Sequence, residues 1–119
     1  MAIKLVVSDI DGTLIDGTEM IAPELVEAAR KCKEHGVVFS FATGRTKELV
    51  ARLVKTVGIT SPYVISNGAC IFQEETCLVS HHFSVEPILS IIRRADAEGL
   101  TVTLSDERTE RALRLTDYV

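Results

Sequence analysis

Apolar residues occur in short runs along the first part of the chain, and polar residues and glycine follow each run. Residues 3–7 and 37–42 are the first two runs, and residues 63–66 form a third one directly after Pro62. Nearly continuous apolar runs of this length are typical of strands that are buried on both faces of a parallel sheet. The pattern therefore predicts three buried strands in this part of the chain.

The segments between these runs have the apolar spacing of amphipathic helices. Pro23 stands at a favoured first-turn position, and Gly36 follows the last apolar position of the first segment. Thr46 has the residue type of an N-cap for the second helix, which Gly58 ends. Strand, helix, strand, helix, strand with short connections predicts a right-handed βαβαβ unit, and hence an α/β fold with a doubly wound, Rossmann-like parallel sheet.

The pattern changes after residue 69. Residues 70–72 and 76–82 flank the polar stretch Gln73-Glu74-Glu75, which predicts an antiparallel hairpin. Ser84 has the residue type of an N-cap for a helix that runs to about residue 98, and alternation over residues 100–104 predicts one more strand. Residues 105–119 are mostly charged and predict no definite element.

Polar motifs follow each of the three predicted parallel strands. They are Asp9-Ile10-Asp11-Gly12-Thr13, Thr43-Gly44-Arg45 and Ser66-Asn67-Gly68-Ala69. Ligands of such sheets bind beyond the carboxyl ends of the strands, so we expect the three motifs to meet there. Residues two apart in an extended chain point the same way, which predicts that Asp9 and Asp11 face one side. Two adjacent carboxylates repel each other, and a proton or a metal ion would relieve that repulsion.

Composition narrows the possible partners and location. The chain of 119 residues is 46% hydrophobic and 25% charged, which is ordinary for a globular domain. Its formal net charge is −4 without a long basic run, so we expect no nucleic-acid partner. No stretch reaches membrane-spanning length or has the pattern of a signal peptide, and the three cysteines are an odd number. We therefore expect no membrane partner and a cytoplasmic location.

The order of the three motifs resembles the Cof-type branch of the haloacid dehalogenase superfamily, and Asp-x-Asp-Gly-Thr after the first strand is its most specific part. Members of that branch are mostly magnesium-dependent phosphatases of sugar phosphates and related small metabolites. The resemblance implies that residues 1–83 are the N-terminal part of the family's core. Residues 84–119 would then be the incomplete start of an α+β cap domain.

The resemblance also implies roles for the two acids. Asp9 would be the nucleophile that forms an aspartyl-phosphate, and Asp11 would be the general acid and then the general base. Mg²⁺ would be held by the Asp9 side chain and the Asp11 backbone carbonyl. The substrate would be a small phosphate ester.

The remaining site residues implied by the resemblance bind the phosphoryl group or the substrate. Thr43 would donate a hydrogen bond to the phosphoryl group through its hydroxyl. Backbone amides would hold the phosphoryl oxygens, and two side chains would contact the substrate or shape the edge of the site. These amides belong to Ile10, Gly12 and Gly44, and these side chains to Arg45 and Asn67.

The chain also departs from the family pattern. It lacks the downstream Gly-Asp-x-x-x-Asp motif and a catalytic lysine in the right context, since Lys47 belongs to a helix start. We therefore expect the chain alone to be poorly active and to self-associate through an uncovered sheet edge. Two alternatives stay open: a non-catalytic fragment or pseudoenzyme that acts by binding or dimerisation, and a phosphoacceptor receiver domain. In receiver domains the phosphorylated aspartate ends the third strand. Here the third predicted strand ends in Ser66, which counts against a receiver domain.

Overall fold

A computed structural model describes residues 2–18 and 20–114 of the chain. The described part is elongated, 54 × 30 × 25 Å, and its radius of gyration is 17.0 Å. In chain order, its main elements are β1 (Leu5–Ser8), α1 (Pro23–Glu34), β2 (Val38–Phe41), α2 (Lys47–Val57), β3 (Tyr63–Ile65), β4 (Cys70–Gln73), β5 (Thr76–Ser80), α3 (Leu89–Ala97), β6 (Thr103–Ser105) and β7 (Glu110–Ala112). Short 3₁₀ turns cover Ser66–Gly68 and Glu86–Ile88.

The strands follow the predicted order. β1 and β2 are parallel, with Leu5 beside Val38. A parallel bridge between Ala42 and Val64 joins the end of β2 to β3. β4 pairs antiparallel with both β3 and β5, and β6 pairs antiparallel with β7. The predictions of an α/β fold with parallel strands and of the hairpin after residue 69 are therefore confirmed.

The core lies where β2, β3 and β4 meet the helices. Its largest fully buried side chains include Phe41, Tyr63 and Phe72, and the rings of Phe41 and Tyr63 lie 4.9 Å apart. From α2, the apolar face contributes Val50 and Leu53. This core fixes the ends of β2 and β3, and the polar motifs follow directly from those ends.

The prediction that the first strand is buried on both faces is wrong. Leu5 is 57% exposed and Val7 is 52% exposed, and Val38, the neighbour of Leu5 on β2, is 45% exposed. α1 and α2 contact each other, and the half-buried Phe39 of β2 packs against the core. Within residues 2–18 and 20–114, the opposite face, that of Leu5, therefore remains largely open to solvent.

The two ends of α2 differ in how well they were predicted. Gly58 adopts the left-handed conformation and its N–H donates to the carbonyl of Val54, as expected for a helix-ending glycine. Thr46 stands at the N-cap, but its side chain makes no capping hydrogen bond. Instead, the carbonyl of Arg108 accepts the N–H of Glu48 at a distance of 3.0 Å. The prediction of Thr46 as the N-cap residue is therefore confirmed, but its side chain makes no bond to the helix.

Elements after residue 83 are shifted from their predicted bounds. The Ser84 hydroxyl accepts the N–H of Glu86 at 3.2 Å, but the α-helix begins only at Leu89. The predicted strand over residues 100–104 begins at Thr103. In the described residues, no helix combines the length and the apolar character that crossing a membrane requires.

Candidate active site

The three polar motifs meet at the carboxyl ends of β1, β2 and β3. They line one depression of about 400 Å³. Its lining consists of Asp9, Asp11, Ala42, Thr43, Gly44, Val64, Asn67 and Gly68. Ala42, Val64 and Gly68 were not predicted as site residues, although their positions at strand ends placed them near it. The arrangement agrees with the rule that α/β sheets bind ligands at this edge.

The loop after β1 brings the two acids to the depression by a tight turn. β1 ends at Ser8, so strand alternation alone does not place Asp9 and Asp11. The side chain of Ile10 is fully buried. Its carbonyl accepts three successive amides, at 3.2, 2.9 and 3.0 Å, from Thr13, Leu14 and Ile15. A buried anchor between the two acids therefore sets their position.

Two backbone amides predicted to hold phosphoryl oxygens are engaged within this loop. The N–H of Ile10 donates to Asp9 Oδ1 at 2.7 Å, and that of Gly12 donates to the carbonyl of Ile15 at 2.9 Å. Gly12 has a φ of +72°, a conformation that glycine adopts without steric cost. Their role in phosphoryl binding stays a prediction, and it requires these two bonds to open.

The loops after β2 and β3 are hydrogen-bonded to each other. The Thr43 N–H donates to the Val64 carbonyl at 3.0 Å, and the Asn67 N–H donates to the Thr43 carbonyl at 3.1 Å. The Ser66 N–H donates to the Arg45 carbonyl at 2.9 Å. Thr43 is only 5% exposed, and its Oγ1 accepts the Arg45 N–H at 3.1 Å. Since an acceptor role uses only a lone pair, the Thr43 hydroxyl still has its proton to donate.

Gly44 lies against the side chain of Asn67. A methyl group built at Gly44 would be 2.9 Å from Asn67 Oδ1, which is closer than real contacts of this kind. Ser66 and Asn67 have φ values of 50° and 54°, in the left-handed region that few residue types other than glycine and asparagine favour. The loop after β3 therefore adopts the left-handed backbone conformation at two successive residues where it borders the site.

Arg45 binds Asp11 directly. Its Nη2 lies 2.6 Å from Asp11 Oδ1, and its Nε lies 3.0 Å from Oδ2. The hydrogen bond from Arg45 holds the pKa of the Asp11 carboxyl below its usual range. A lowered pKa keeps the carboxyl ionised and also makes it a weaker base. In this conformation Asp11 therefore carries no proton to donate.

Lys47 does not border the depression. Its ammonium group lies 5.9 Å from the Tyr63 ring centre and 5.6 Å from that of Phe72, and it pairs with Glu75 at 2.9 Å. Burial by itself would lower the pKa of Lys47, but hydrogen bonds to Glu75 and Tyr63 outweigh burial and raise it. Lys47 is therefore a charged, structural group, as its place at a helix start indicated.

The donors at the site fit Mg²⁺ in type but not in number. Asp9 and Asp11 provide hard oxygen atoms, which this ion prefers. Within the described residues, no group of three or more His, Cys, Asp or Glu side chains can hold a metal ion. These two residues would therefore supply part of a magnesium shell, and water or substrate oxygens would complete it.

Comparison with known proteins agrees with this geometry. Residues 6–113 match the family model of the haloacid dehalogenase-like hydrolases. Phosphoglycolate phosphatase of Thermoplasma volcanium is 34% identical over 73 residues, which are 61% of this chain and 33% of that protein. The glucosyl-3-phosphoglycerate/mannosyl-3-phosphoglycerate phosphatase of Persephonella marina is 22% identical over 95% of this chain and 47% of that protein.

Among solved structures, a haloacid dehalogenase subclass IIB sugar phosphatase is 25% identical with a TM-score of 0.75, and the match covers 92% of this chain and 43% of that one. The chain spans less than half the length of each of these three proteins. The family match covers most of the chain, and the two-aspartate loop lies at the strand end where the fold places its ligand. The chain therefore belongs to the haloacid dehalogenase-like hydrolases.

Proposed function

We propose that the chain carries the nucleophile half of a magnesium-dependent phosphohydrolase of the Cof-type branch, which acts on small phosphorylated metabolites through an aspartyl-phosphate. The observation that carries this proposal is the meeting of Asp9, Asp11, Thr43 and Asn67 around one depression at the strand ends. The relatives named above are phosphatases of phosphorylated small molecules, which supports the same substrate class.

In the first step, a carboxylate oxygen of Asp9 attacks phosphorus, and the bond between phosphorus and the leaving oxygen breaks. Asp11 gives its proton to that leaving oxygen. In the second step, water attacks phosphorus, Asp11 takes the proton of that water, and the Asp9 carboxylate and inorganic phosphate are released. Bound Mg²⁺, held by the Asp9 carboxylate and the Asp11 carbonyl, would neutralise phosphoryl charge.

The ion pair with Arg45 bears on the first of these steps. Asp11 has to be protonated to act as an acid, yet the hydrogen bond from Arg45 lowers its pKa. An incoming phosphate ester is an anion that competes with Asp11 for the same guanidinium group. Substrate binding would therefore free Asp11 to take up a proton, and Arg45 would then hold the substrate.

Thr43, Gly44 and Asn67 are proposed to position the phosphoryl group. Thr43 offers the proton of a nearly buried hydroxyl, and Gly44 allows the chain to approach Asn67 closely. Residues 84–114, which contain α3, β6 and β7, are proposed to be the start of the α+β cap domain. The elongated shape supports two bodies, because a compact chain of this length has a radius of gyration of about 13–14 Å and this one measures 17.0 Å.

Mass spectrometry of the intact chain tests the proposal without requiring turnover. We expect the chain with Mg²⁺ and acetyl phosphate to gain the mass of one phosphoryl group. Asp9→Asn should gain none, because an amide is a poor nucleophile. Asp11→Asn should accumulate the adduct, because hydrolysis without the base is slower by about 10²–10⁴-fold. An adduct of equal yield in Asp9→Asn would refute the assignment of Asp9 as the nucleophile.

One observation favours the second candidate, a chain that acts by self-association. Leu5, Val7 and Val38 leave an apolar sheet face open to solvent, and exposed faces of this kind mark interaction sites. We expect sedimentation velocity to show dimers or larger species, and Leu5→Lys with Val7→Lys to give monomers. Ile91→Lys, at a site on α3 that is 67% exposed, is the matched control. A monomeric wild-type chain at high concentration would remove this candidate.

A further inference from the structure

The start of α2 is capped by a distant turn and not by its own N-cap residue. The first amides of a helix need acceptors from outside the helix, and a threonine at the N-cap usually accepts one of them. Here the Glu48 N–H donates to the Arg108 carbonyl at 3.0 Å. Thr46 is 4% exposed, and its Oγ1 has no hydrogen-bond partner in the described part of the chain. Two acceptors therefore stand near one helix end, and only one is used.

The turn that carries Arg108 lies between β6 and β7 and has its own internal support. Asp106 Oδ1 accepts the N–H groups of Arg108 and Thr109 at 2.7 and 2.8 Å. These bonds lie within the turn itself, so they do not depend on the contact with α2. The β6–β7 turn is thus a preformed unit that can dock as one piece.

The contacts that dock this turn are an exposed ion pair, a backbone hydrogen bond and the approach of a guanidinium group to a buried aromatic ring. The Arg108 guanidinium group lies 5.4 Å from the Phe72 ring centre, donates to the Glu75 carbonyl at 3.1 Å and pairs with the Glu75 carboxylate at 3.3 Å. The side chains of this ion pair are 51% and 80% exposed. Beside it, His82 contacts Glu107 at 3.0 Å. Exposed ion pairs contribute little stability, so the ion pairs of this turn hold it only weakly.

We propose that the helix start exchanges its two acceptors as the β6–β7 turn docks and leaves. When the turn leaves, Thr46 rotates about its χ1 bond and its hydroxyl oxygen accepts the N–H of Glu48 in place of the Arg108 carbonyl. The docked state leaves a buried hydroxyl without a partner, and the undocked state loses the contacts of Arg108, so each state carries a cost.

The exchange takes place close to the candidate active site. α2 begins two residues after Arg45, whose carbonyl accepts the N–H of Ser66 in the loop that borders the depression. The proposal does not depend on phosphatase chemistry, and its test uses no turnover.

Hydrogen exchange of the Glu48 amide, measured by NMR, distinguishes one acceptor from two. We expect Arg108→Ala and Thr46→Val each to leave its exchange rate near that of the wild type, because the other acceptor remains. The double variant should exchange about fivefold faster, the equivalent of the ~1 kcal/mol of a lost N-cap. Combining Arg108→Ala with Thr46→Ser should restore protection, because serine keeps the hydroxyl. Arg111→Ala, at an exposed arginine of β7, is the matched control.

Three outcomes would overturn the proposal. Arg108→Ala alone exchanging as fast as the double variant would show that Thr46 does not replace the carbonyl. A double variant as protected as the wild type would show that neither acceptor matters. A nuclear Overhauser contact between the Glu48 amide and Arg108 Hα reports docking directly, and we expect Arg108→Ala to abolish it. Its persistence would show that the arginine side chain does not anchor the turn. If Thr46→Val does not fold, Thr46→Ala replaces it in the single and double variants, because alanine also lacks the hydroxyl group.

Discussion

A methyl group at Gly44 tests the packing of the candidate site with little other change. The added carbon would lie 2.9 Å from Asn67 Oδ1, and ordinary contact begins at 3.4 Å, so the Asn67 side chain has to move by about 0.5 Å. The backbone of Asn67 is held by its left-handed conformation and by the bond of its N–H to Thr43, so the adjustment falls on its exposed side chain. We expect Gly44→Ala to lower the free energy of unfolding by about 1 kcal/mol, the low end of the cost of overpacking.

Urea unfolding measures this cost against a matched control. Gly17→Ala adds the same methyl group at a position where no atom lies within 4 Å, and its backbone is not in the left-handed region. We therefore expect Gly17→Ala to change stability by less than about 0.5 kcal/mol. Removal of the Asn67 side chain should restore the stability of the first variant, so Gly44→Ala combined with Asn67→Gly should show a favourable coupling of about 1 kcal/mol. Equal stability of the two alanine variants, or no coupling, would refute the close approach.

Three further predictions concern charged groups. The free energy of unfolding of Lys47→Met, measured in urea, should stay within about 1.5 kcal/mol of that of the wild type, because methionine keeps the buried aliphatic part of the side chain. Lys47→Ala loses that part and should be less stable by about 2–3 kcal/mol. Equal losses would show that the charge matters more than the aliphatic part. Hydrogen bonding to Lys47 lowers the pKa of Glu75, so its stabilising effect is present above the usual glutamate pKa of 4.5 and is lost as the pH falls through the lowered value. The free energy of unfolding of Glu75→Gln should therefore fall less steeply with decreasing pH than that of the wild type, and identical curves would contradict this. Arg45→Gln should raise the pKa of Asp11 towards its ordinary value of 3.8, followed by carboxyl NMR; an unchanged pKa would show that Arg45 does not lower it.

The part of the site that sequence predicted is the part that backbone topology decides. Asp9, Thr43 and Asn67 follow three strands, and parallel strands end at the same edge of a sheet, so local patterns were enough to bring them together. The same reasoning gave the helix end at Gly58, because a glycine in the left-handed conformation is a local feature. The family match then placed the chain among the haloacid dehalogenase-like hydrolases and not among the receiver domains.

The contacts that sequence did not predict join residues far apart in the chain. The pairing of Asp11 with Arg45 depends on side-chain directions that periodicity does not describe. The side chain of Thr46 makes no capping bond to α2, and the carbonyl of Arg108, 62 positions later, accepts the Glu48 N–H. The exposure of Leu5 was missed because an apolar run reports what a strand can bury and not what covers it.

We propose that a nucleophile stands beside a phosphoryl site at the ends of β1, β2 and β3. Binding of beryllofluoride, which mimics the phosphoryl group of an aspartyl-phosphate, tests it most directly. We predict that ¹⁹F NMR of the chain with Mg²⁺ shows bound beryllofluoride in the wild type and in Asp11→Asn, and none in Asp9→Asn. Bound signal of equal intensity in Asp9→Asn, or none in the wild type, would contradict the account.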